Sequence, residues 1–317
     1  MRKKILYLSA FLLFLPFAGQ AQSLNRTAKD FREYIGVLAG EELAGRAAGT
    51  RGDTLAVEYL RDFLDDQRGI ELLFDDGLQA FTAQSWFNKV NSFNVVGFIE
   101  GNDPVLKNEV IVIGAHYDHM GLEAGNFGEE PKIKFGADDN ASGTAMVMAL
   151  ARRLAKDRRH LKRSVMIVFF GAEERGLVGS RYLTEHMPPE VPIGNVVCMV
   201  NFDMVGRLTP ERGVILFGLG SGKELDGLLR SRPWPYGELA PVSYNATVFA
   251  ASDHSSFYDK EVPAFMFMTG IHADYHTSAD TADKINYTGM VLVYRYALQI
   301  IDALAVDALP VTYQAPN

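Results

Sequence analysis

Five continuous apolar runs of strand length recur along the chain, each bounded by glycine or polar residues. They occupy residues 95–99, 110–114, 165–170, 196–200 and 264–268. An apolar run without polar alternation is typical of a strand that is buried on both faces of a sheet. The pattern therefore predicts five central strands.

Apolar residues at helical spacing occupy much of the remaining chain. Residues 143–155, 176–185 and 287–304 are predicted helices, and Asn140 and Ser142 are candidate caps for the first of them. Residues 24–63 also show helical spacing, which glycines at positions 45, 49 and 52 divide into two helices.

The alternation of strands and helices predicts an α/β fold: a three-layer α/β/α sandwich with a mostly parallel, doubly wound central sheet. No repeat or linker divides residues 22–317, which we interpret as a single domain with residues 22–90 as its N-terminal helical part. In such a fold, ligands bind at the carboxyl ends of the strands.

The first residues have the pattern of a secretory signal peptide. Arg2, Lys3 and Lys4 precede an apolar run at residues 5–17 that is too short to span a bilayer, and small residues follow at Ala18 and Ala21. We predict cleavage after Ala21, export to the periplasm or the medium, and no stable membrane insertion after cleavage. The alternative is a core or anchoring helix.

Composition narrows the possible chemistry. The single cysteine, Cys198, allows neither an internal disulfide nor a cysteine-ligated zinc site, so His, Asp and Glu must hold any metal. The formal net charge of −8 argues against a nucleic-acid partner, which requires a basic surface.

Histidines and carboxylates follow the predicted strands. His116, the pair Glu173-Glu174, Asp203 and His276 each come after an apolar run, and Asp139 precedes a predicted helix. Such a set suits zinc or a similar divalent ion, and several carboxylates also suit two bridged metals. Taken singly, each has an ordinary alternative: a polar histidine, a solvated turn or a helix cap.

Five segments, in this order, resemble the motifs of the di-zinc exopeptidases of the aminopeptidase S and aminopeptidase Y type, which have a phosphorylase/hydrolase-like fold. The segments are His116-Tyr117-Asp118, residues 136–143, Ala172-Glu173-Glu174 with Gly179-Ser180, residues 201–206, and Tyr275-His276-Thr277 with Asp280-Thr281. The segment around Arg46 also resembles bacterial members. The resemblance covers the chain from about residue 38 to the last predicted helix.

The resemblance implies two zinc ions per chain. Asp139 would bridge them, with His116 and Asp203 completing the shell of one ion and Glu174 and His276 that of the other. It also implies hydrolysis of a peptide bond by a water that bridges the metals.

Three further residues take catalytic roles by the same resemblance. Glu173 would be the general base and would later return the proton to the leaving amine. Asp118 could accept the second ring N–H of His116, or be a solvent-facing loop residue. Tyr275 could donate to the oxyanion, or be a packing aromatic residue.

Four polar residues near these segments keep open roles. His119 and His272 are interpreted as outer or substrate-side groups rather than ligands. Asp253 could join a proton network or cap a turn, and Arg207 could bind substrate or form a structural ion pair.

The sequence thus predicts an exported metalloaminopeptidase that acts on peptides with a free N-terminus. The nearest alternative of the same fold is a single-zinc glutaminyl cyclase, which more usually has Trp where this chain has Tyr275. A non-catalytic binding domain of the same fold is a further alternative.

Overall fold

The computed structural model describes residues 25–84, 89–125, 129–232, 234, 241–248 and 250–315. The predicted signal peptide, residues 1–21, lies outside these ranges. None of the helices in the described ranges is both long and apolar enough to cross a membrane.

Nine strands form one mixed sheet in the described part of the chain, and two short strands form a separate hairpin. The strands are β1 (Glu71–Leu72), β2 (Leu78–Gln84), β3 (Lys89–Ile99), β4 (Val110–His116), β5 (Gly121–Glu123), β6 (Lys132–Lys134), β7 (Ser164–Phe170), β8 (Val196–Phe202), β9 (Val214–Phe217), β10 (Val242–Tyr244) and β11 (Ala264–Met268). The order across the large sheet is β1-β3-β7-β4-β8-β11-β9-β10, and β2 pairs with β3.

The four central strands, β7, β4, β8 and β11, run parallel. Strand β3 joins β7 antiparallel on one side, and β9 joins β11 antiparallel on the other. The sheet is therefore mostly but not wholly parallel, and the carboxyl ends of its four central strands meet at one edge.

The helices pack on both faces of this sheet. Those longer than a single turn, among the described residues, are α1 (25–38), α2 (Arg51–Asp65), α3 (Gly143–Asp157), α4 (Val178–Glu185), α5 (Leu225–Ser231), α6 (His254–Tyr258) and α7 (Tyr287–Ala305). Helices α1, α2, α3, α5 and α7 share one hydrophobic core, and α4 and α6 contribute to the other. The predicted three-layer α/β fold is confirmed.

Alternate residues of each central strand supply the two cores. Ile111 and Ile113 of β4 pack with the helices of the larger core, whereas Val110 and Val112 face the smaller one. Every residue of β4 and of β7 is buried, which explains why these strands are continuous apolar runs in the sequence.

The prediction that residues 22–90 form a helical part is wrong beyond Asp65. Strands β1 and β2 and the start of β3 lie in this segment. In β2 buried and exposed residues alternate, because one face packs on the protein and the other meets solvent. Strand β2 was not predicted, because its two-residue period is a weaker signal than the helical spacing that precedes it.

Gly52 is a second correction, because it lies inside α2 rather than at a helix break. A Cβ atom at this position would come within 1.9 Å of the Leu43 carbonyl oxygen. The missing side chain of Gly52 therefore allows α2 to lie close to the preceding turn. Thr50 caps the helix, because its side chain accepts a hydrogen bond from the Asp53 N–H.

Candidate metal centre

The carboxyl ends of the four central strands present the predicted histidines and carboxylates. His116 is the last residue of β4, Glu173 and Glu174 lie in a turn after β7, and Asp203 directly follows β8. His276 lies in the loop after β11. The parallel topology of the sheet thus brings residues that are far apart in sequence to one place.

Asp139 reaches this place from the loop that precedes α3. The backbone N–H groups of Asp138 and Asp139 donate to Asp280 Oδ2 over 2.9 and 3.1 Å. Asp138 in turn accepts from the Gly206 N–H over 2.6 Å and from the Ser142 hydroxyl over 3.0 Å. These buried hydrogen bonds fix the loop that carries Asp139.

One set of candidate ligands consists of His116, Asp139 and Asp203, all of which are buried. His116 Nε2 lies 3.4 Å from Asp139 Oδ1 and 3.6 Å from Asp203 Oδ1. An imidazole between two carboxylates offers three donor atoms that converge on one point.

The second set consists of His119, Asp139 and Glu174, so Asp139 faces both sets. His276 Nε2 lies 2.9 Å from Asp139 Oδ2 and 3.3 Å from Glu174 Oε2. His119 Nδ1 lies 2.9 Å from Glu174 Oε1 and 3.7 Å from Asp139 Oδ2. His119, interpreted from the sequence as an outer group, therefore contacts two of the predicted ligands.

The charges of these groups depend on each other. The pKa of Asp139 is raised by burial, but hydrogen bonds from His116 and His276 lower it more, so the net shift is downward. Hydrogen bonds to Asp139 and Glu174 raise the pKa of His276 to about 9. Burial alone would lower the pKa of His116. The negative charges of Glu173 and Asp203 act in the opposite direction and raise this pKa to well above its usual value.

These residues fit a pair of divalent cations such as zinc. His119 Nε2 is buried without a hydrogen-bond partner among the described residues, and a buried polar atom of this kind needs a partner. Three carboxylates with imidazoles match the donor types that zinc takes in catalytic sites. His116, Asp139, Glu174, Asp203 and His276 would hold the ions.

We expect zinc binding to release protons, because each ligating imidazole must be neutral. His276, with its pKa raised to about 9, is protonated at pH 7 in the metal-free protein. Calorimetric titration with zinc in buffers of different ionisation enthalpy measures the number of protons released. In His276→Ala this number should fall by about one, whereas the exposed His160→Ala control should leave it unchanged. Equal proton release in wild type and His276→Ala would contradict the expectation.

A cavity of about 70 Å³ opens beside the two sets of ligands. Glu173 lines it, and Glu173 Oε2 lies 3.9 Å from His116 Nε2. Burial raises the pKa of Glu173. His116 lowers this pKa and Asp253 raises it, and the net result is a pKa well above the usual value. Met204, Met266 and Met268 form an apolar wall of the cavity.

Tyr275 stands at the mouth of this cavity, 37% exposed. Its ring stacks on His276 with the centroids 3.7 Å apart. This position fits both sequence-based interpretations of Tyr275. The side chain packs on a predicted ligand, and it also borders the space that a substrate would enter.

Asp118 makes a different contact from the one that the sequence suggested. His116 Nδ1 lies 3.2 Å from the Asp118 backbone oxygen but 3.8 Å from Oδ1 of its carboxylate. The carboxylate instead accepts from the Glu173 N–H over 2.9 Å and from the Glu174 N–H over 3.4 Å. Because it is engaged there, Asp118 holds the turn of Glu173 and Glu174, and its main chain faces His116.

Arg46 is the main residue at this site whose role the sequence did not reveal. Its side chain is fully buried, and its guanidinium donates to four backbone carbonyl groups from three segments. The acceptors are Tyr117 O at 2.5 Å, Leu38 O at 3.0 Å, Phe135 O at 2.6 Å and Gly136 O at 2.7 Å. A fifth, longer contact of 3.5 Å reaches Asp139 O.

Arg46 also places a positive charge behind the carboxylates. Burial lowers the pKa of Arg46 to about 10, while Asp139 and Asp118 act in the opposite direction. The guanidinium therefore remains charged at neutral pH. It joins the loop before Asp139 to the segment after His116, so it supports both predicted ligands from behind.

Two of the polar residues with open roles make structural contacts, and a third is buried. His272 Nε2 lies 3.2 Å from Asp138 Oδ2. Arg207 Nη2 lies 3.0 Å from Asp274 and 3.3 Å from Asp280, so it supports the loop that holds Asp139. Asp253 is fully buried, and burial raises its pKa to about 6.

The sequence matches a known family over most of this architecture. The model described as "Peptidase family M28" matches residues 94–301, a range that includes all five predicted ligands.

Similar proteins agree with this match. Leupeptin-inactivating enzyme 1 of Streptomyces exfoliatus is 25% identical over 250 residues, which are 79% of this chain and 50% of the relative. A probable leucine aminopeptidase of Arthroderma otae is 23% identical over 246 residues, covering 74% of this chain and 63% of the relative. This chain thus spans between half and two thirds of the length of these two relatives.

The fold is also found among solved structures. The aminopeptidase of Aneurinibacillus sp. strain AM-1 superposes with a TM-score of 0.70 at 17% identity. The superposition covers 93% of this chain and 99% of that protein, so the two share the whole architecture.

Proposed function

The chain belongs to peptidase family M28, and we propose that it is an exported zinc aminopeptidase that hydrolyses the first peptide bond of peptides with a free N-terminus. The proposal extends family membership to a particular reaction, metal count and location.

One observation carries the proposal: two sets of candidate ligands share Asp139, and a further carboxylate, Glu173, stands beside them without belonging to either. Two metals bridged by one carboxylate are typical of aminopeptidases and phosphatases. A separate carboxylate within the same cavity provides a group that can exchange a proton with a substrate.

Zinc ions held by these residues would supply Lewis acidity and would lower the pKa of a water molecule. The protein supplies the remaining functions. Glu173 accepts a proton at its carboxylate and donates it to the nitrogen of the leaving amine. Its position in the turn held by Asp118 keeps the carboxylate directed at the cavity.

The cavity also suits the N-terminal residue of a peptide. Carboxylates on one side attract the positive α-amino group, which favours a free N-terminus. The methionine-lined wall contacts the first side chain. Tyr275 at the mouth donates a hydrogen bond from its hydroxyl to the oxygen of the carbonyl under attack.

Hydrolysis of aminoacyl-p-nitroanilides tests the proposal. We expect release of p-nitroaniline from substrates with a free amino group and none from their N-acetylated counterparts. Removal of metal with 1,10-phenanthroline should abolish the activity, and added zinc should restore it. Elemental analysis of the active protein should give two zinc ions per chain.

The alternatives give different results in the same assays. Conversion of a glutaminyl peptide to pyroglutamate with one zinc per chain would indicate a glutaminyl cyclase. Tyr275, where cyclases more usually have Trp, favours the peptidase. A protein that binds no zinc and turns over neither substrate would be a binding domain of the same fold.

Export is tested separately. The basic start, short apolar run and small residues at Ala18 and Ala21 support removal of residues 1–21. N-terminal sequencing of protein from the native fraction should then begin at Gln22. Detection of Met1 in the native protein would contradict export by this route.

A further inference from the structure

The last turns of α3 and the segment after it are rich in positively charged residues, although the chain as a whole is negatively charged. The formal net charge is −8, yet seven of the twelve residues 152–163 are lysine or arginine. They are Arg152, Arg153, Lys156, Arg158, Arg159, Lys162 and Arg163.

Part of this segment lines a cavity of about 700 Å³ on the helical side of the protein. The cavity lies between α1, α3, α7 and the turn that contains Arg68. Seven of its lining residues are basic, and Asp30 is the one carboxylate among the lining residues. We call it the basic cavity.

Four of the basic side chains have charge available for a ligand. Arg152 pairs with Asp30, and Arg153 Nε lies 2.6 Å from Asp157 Oδ2. Four others form no salt bridge within the described residues, and all four are exposed. These four are Arg26, Arg68, Lys156 and Arg158.

Apolar residues also line the cavity. They are Ala149 and Ala155 of α3 and Val291 and Leu298 of α7. Arg158 Nη1 donates to the backbone oxygens of Ala155 over 3.3 Å and Arg68 over 3.4 Å.

This arrangement places like charges side by side. Basic residues in the last turn of a helix favourably oppose its dipole, which accounts for those of α3. The dipole does not account for Arg26 and Arg68, which come from α1 and from the turn after α2. Their repulsion with Arg158 costs free energy that a bound anion removes.

We propose that the basic cavity binds a ligand carrying two or more phosphate groups. One guanidinium group can donate two parallel hydrogen bonds to the oxygens of a phosphate, and the ammonium group of lysine adds a positive point charge. The volume of the cavity exceeds that needed by a single phosphate, and positive charge reaches it from three separate elements. A free oligophosphate and the head groups of anionic lipids offer the same chemistry.

The basic cavity is separate from the metal centre. Helix α3 starts at Gly143 beside the ligand loop, and the basic residues begin nine residues further on at Arg152. At 1.5 Å per residue, this is about 13 Å along the helix axis. Binding in this cavity therefore does not depend on the peptidase activity.

Binding of inorganic tripolyphosphate, measured by calorimetry at low salt, tests the proposal. Cosedimentation with phosphatidylcholine vesicles, with and without cardiolipin, whose head group carries two phosphates, tests the lipid source. We expect Arg68→Glu/Arg158→Glu to weaken binding at least about tenfold. Arg26→Glu/Lys156→Glu, which alters exposed side chains, should do the same and guards against a folding defect. The matched control Lys223→Glu/Lys260→Glu changes the charge equally outside the cavity and should bind like wild type.

The outcomes separate the sources. Tripolyphosphate binding that both cavity variants lose supports a free oligophosphate ligand. Binding only to vesicles that contain cardiolipin, lost in the same variants, supports lipid head groups. The proposal is overturned if wild type binds neither probe, or if the cavity variants bind as well as the control. Unchanged p-nitroanilide hydrolysis in these variants would distinguish this site from the metal centre.

Discussion

Replacing Glu173 by alanine is expected to lower kcat for aminoacyl-p-nitroanilides by about 10² to 10⁴-fold while zinc remains bound. Glu173 lines the cavity, yet it belongs to neither set of candidate ligands. The substitution therefore removes a proton acceptor and leaves His116, Asp139 and Glu174 in place. Steady-state kinetics with zinc analysis of the same samples measures both effects.

Glu174 provides the matched comparison, because it lies next in sequence and on the same turn. Glu174 Oε2 lies 3.3 Å from His276 Nε2, so Glu174→Ala should lose both activity and zinc. Glu173→Gln keeps the size of the side chain and should be as impaired as Glu173→Ala. If Glu173→Ala kept activity within a few-fold of wild type, or lost its zinc, the assignment as general base would be wrong.

The central strands could be predicted because their burial leaves a local signal. All seven residues of β4 and of β7 are buried, and each strand is a continuous apolar run. The edge strands leave a weaker signal. Strand β9 has four residues and β10 three, with alternating or partial burial. Strand β9 is antiparallel to its neighbour β11. This direction depends on the pairing of the two strands, and no local sequence pattern predicts that pairing.

The approach of the candidate ligands could be predicted from topology alone, since parallel strands end at one edge of the sheet. Side-chain direction could not. His119 and Asp118 flank the end of β4 in the same segment as His116, and the sequence does not show that His119 contacts Glu174. Nor does it show that the Asp118 carboxylate is held by the N–H groups of the neighbouring turn.

Arg46 was harder to interpret because its neighbours are small. It lies in Ala44-Gly45-Arg46-Ala47-Ala48, which reads as an exposed turn. Its burial depends on backbone oxygens that are between 8 and 93 residues away in sequence. One signal was present: a lone arginine among small residues of a segment that resembles bacterial exopeptidases.

The second large effect is expected at this arginine. Arg46→Met should lower the free energy of unfolding by about 3 kcal/mol or more, because several buried carbonyl groups lose their donor at once. It should also weaken zinc binding at least about tenfold, since the loop of Asp139 loses its support and its nearby positive charge. Chemical denaturation of the metal-free protein and competition with a zinc chelator measure the two quantities independently.

Arg163 makes this expectation falsifiable, because it is a second buried arginine far from the ligands. It lies 2.6 Å from Glu109 and donates to the backbone oxygens of Leu304 and Leu309 over 2.8 and 2.7 Å. Arg163→Met should therefore destabilise the fold by a similar amount without changing zinc affinity. Arg46→Lys, which keeps the charge but loses the planar fork, should recover part of the affinity and less of the stability. If Arg46→Met and Arg163→Met affected zinc binding equally, Arg46 would be a structural residue of the fold with no particular influence on the metal centre.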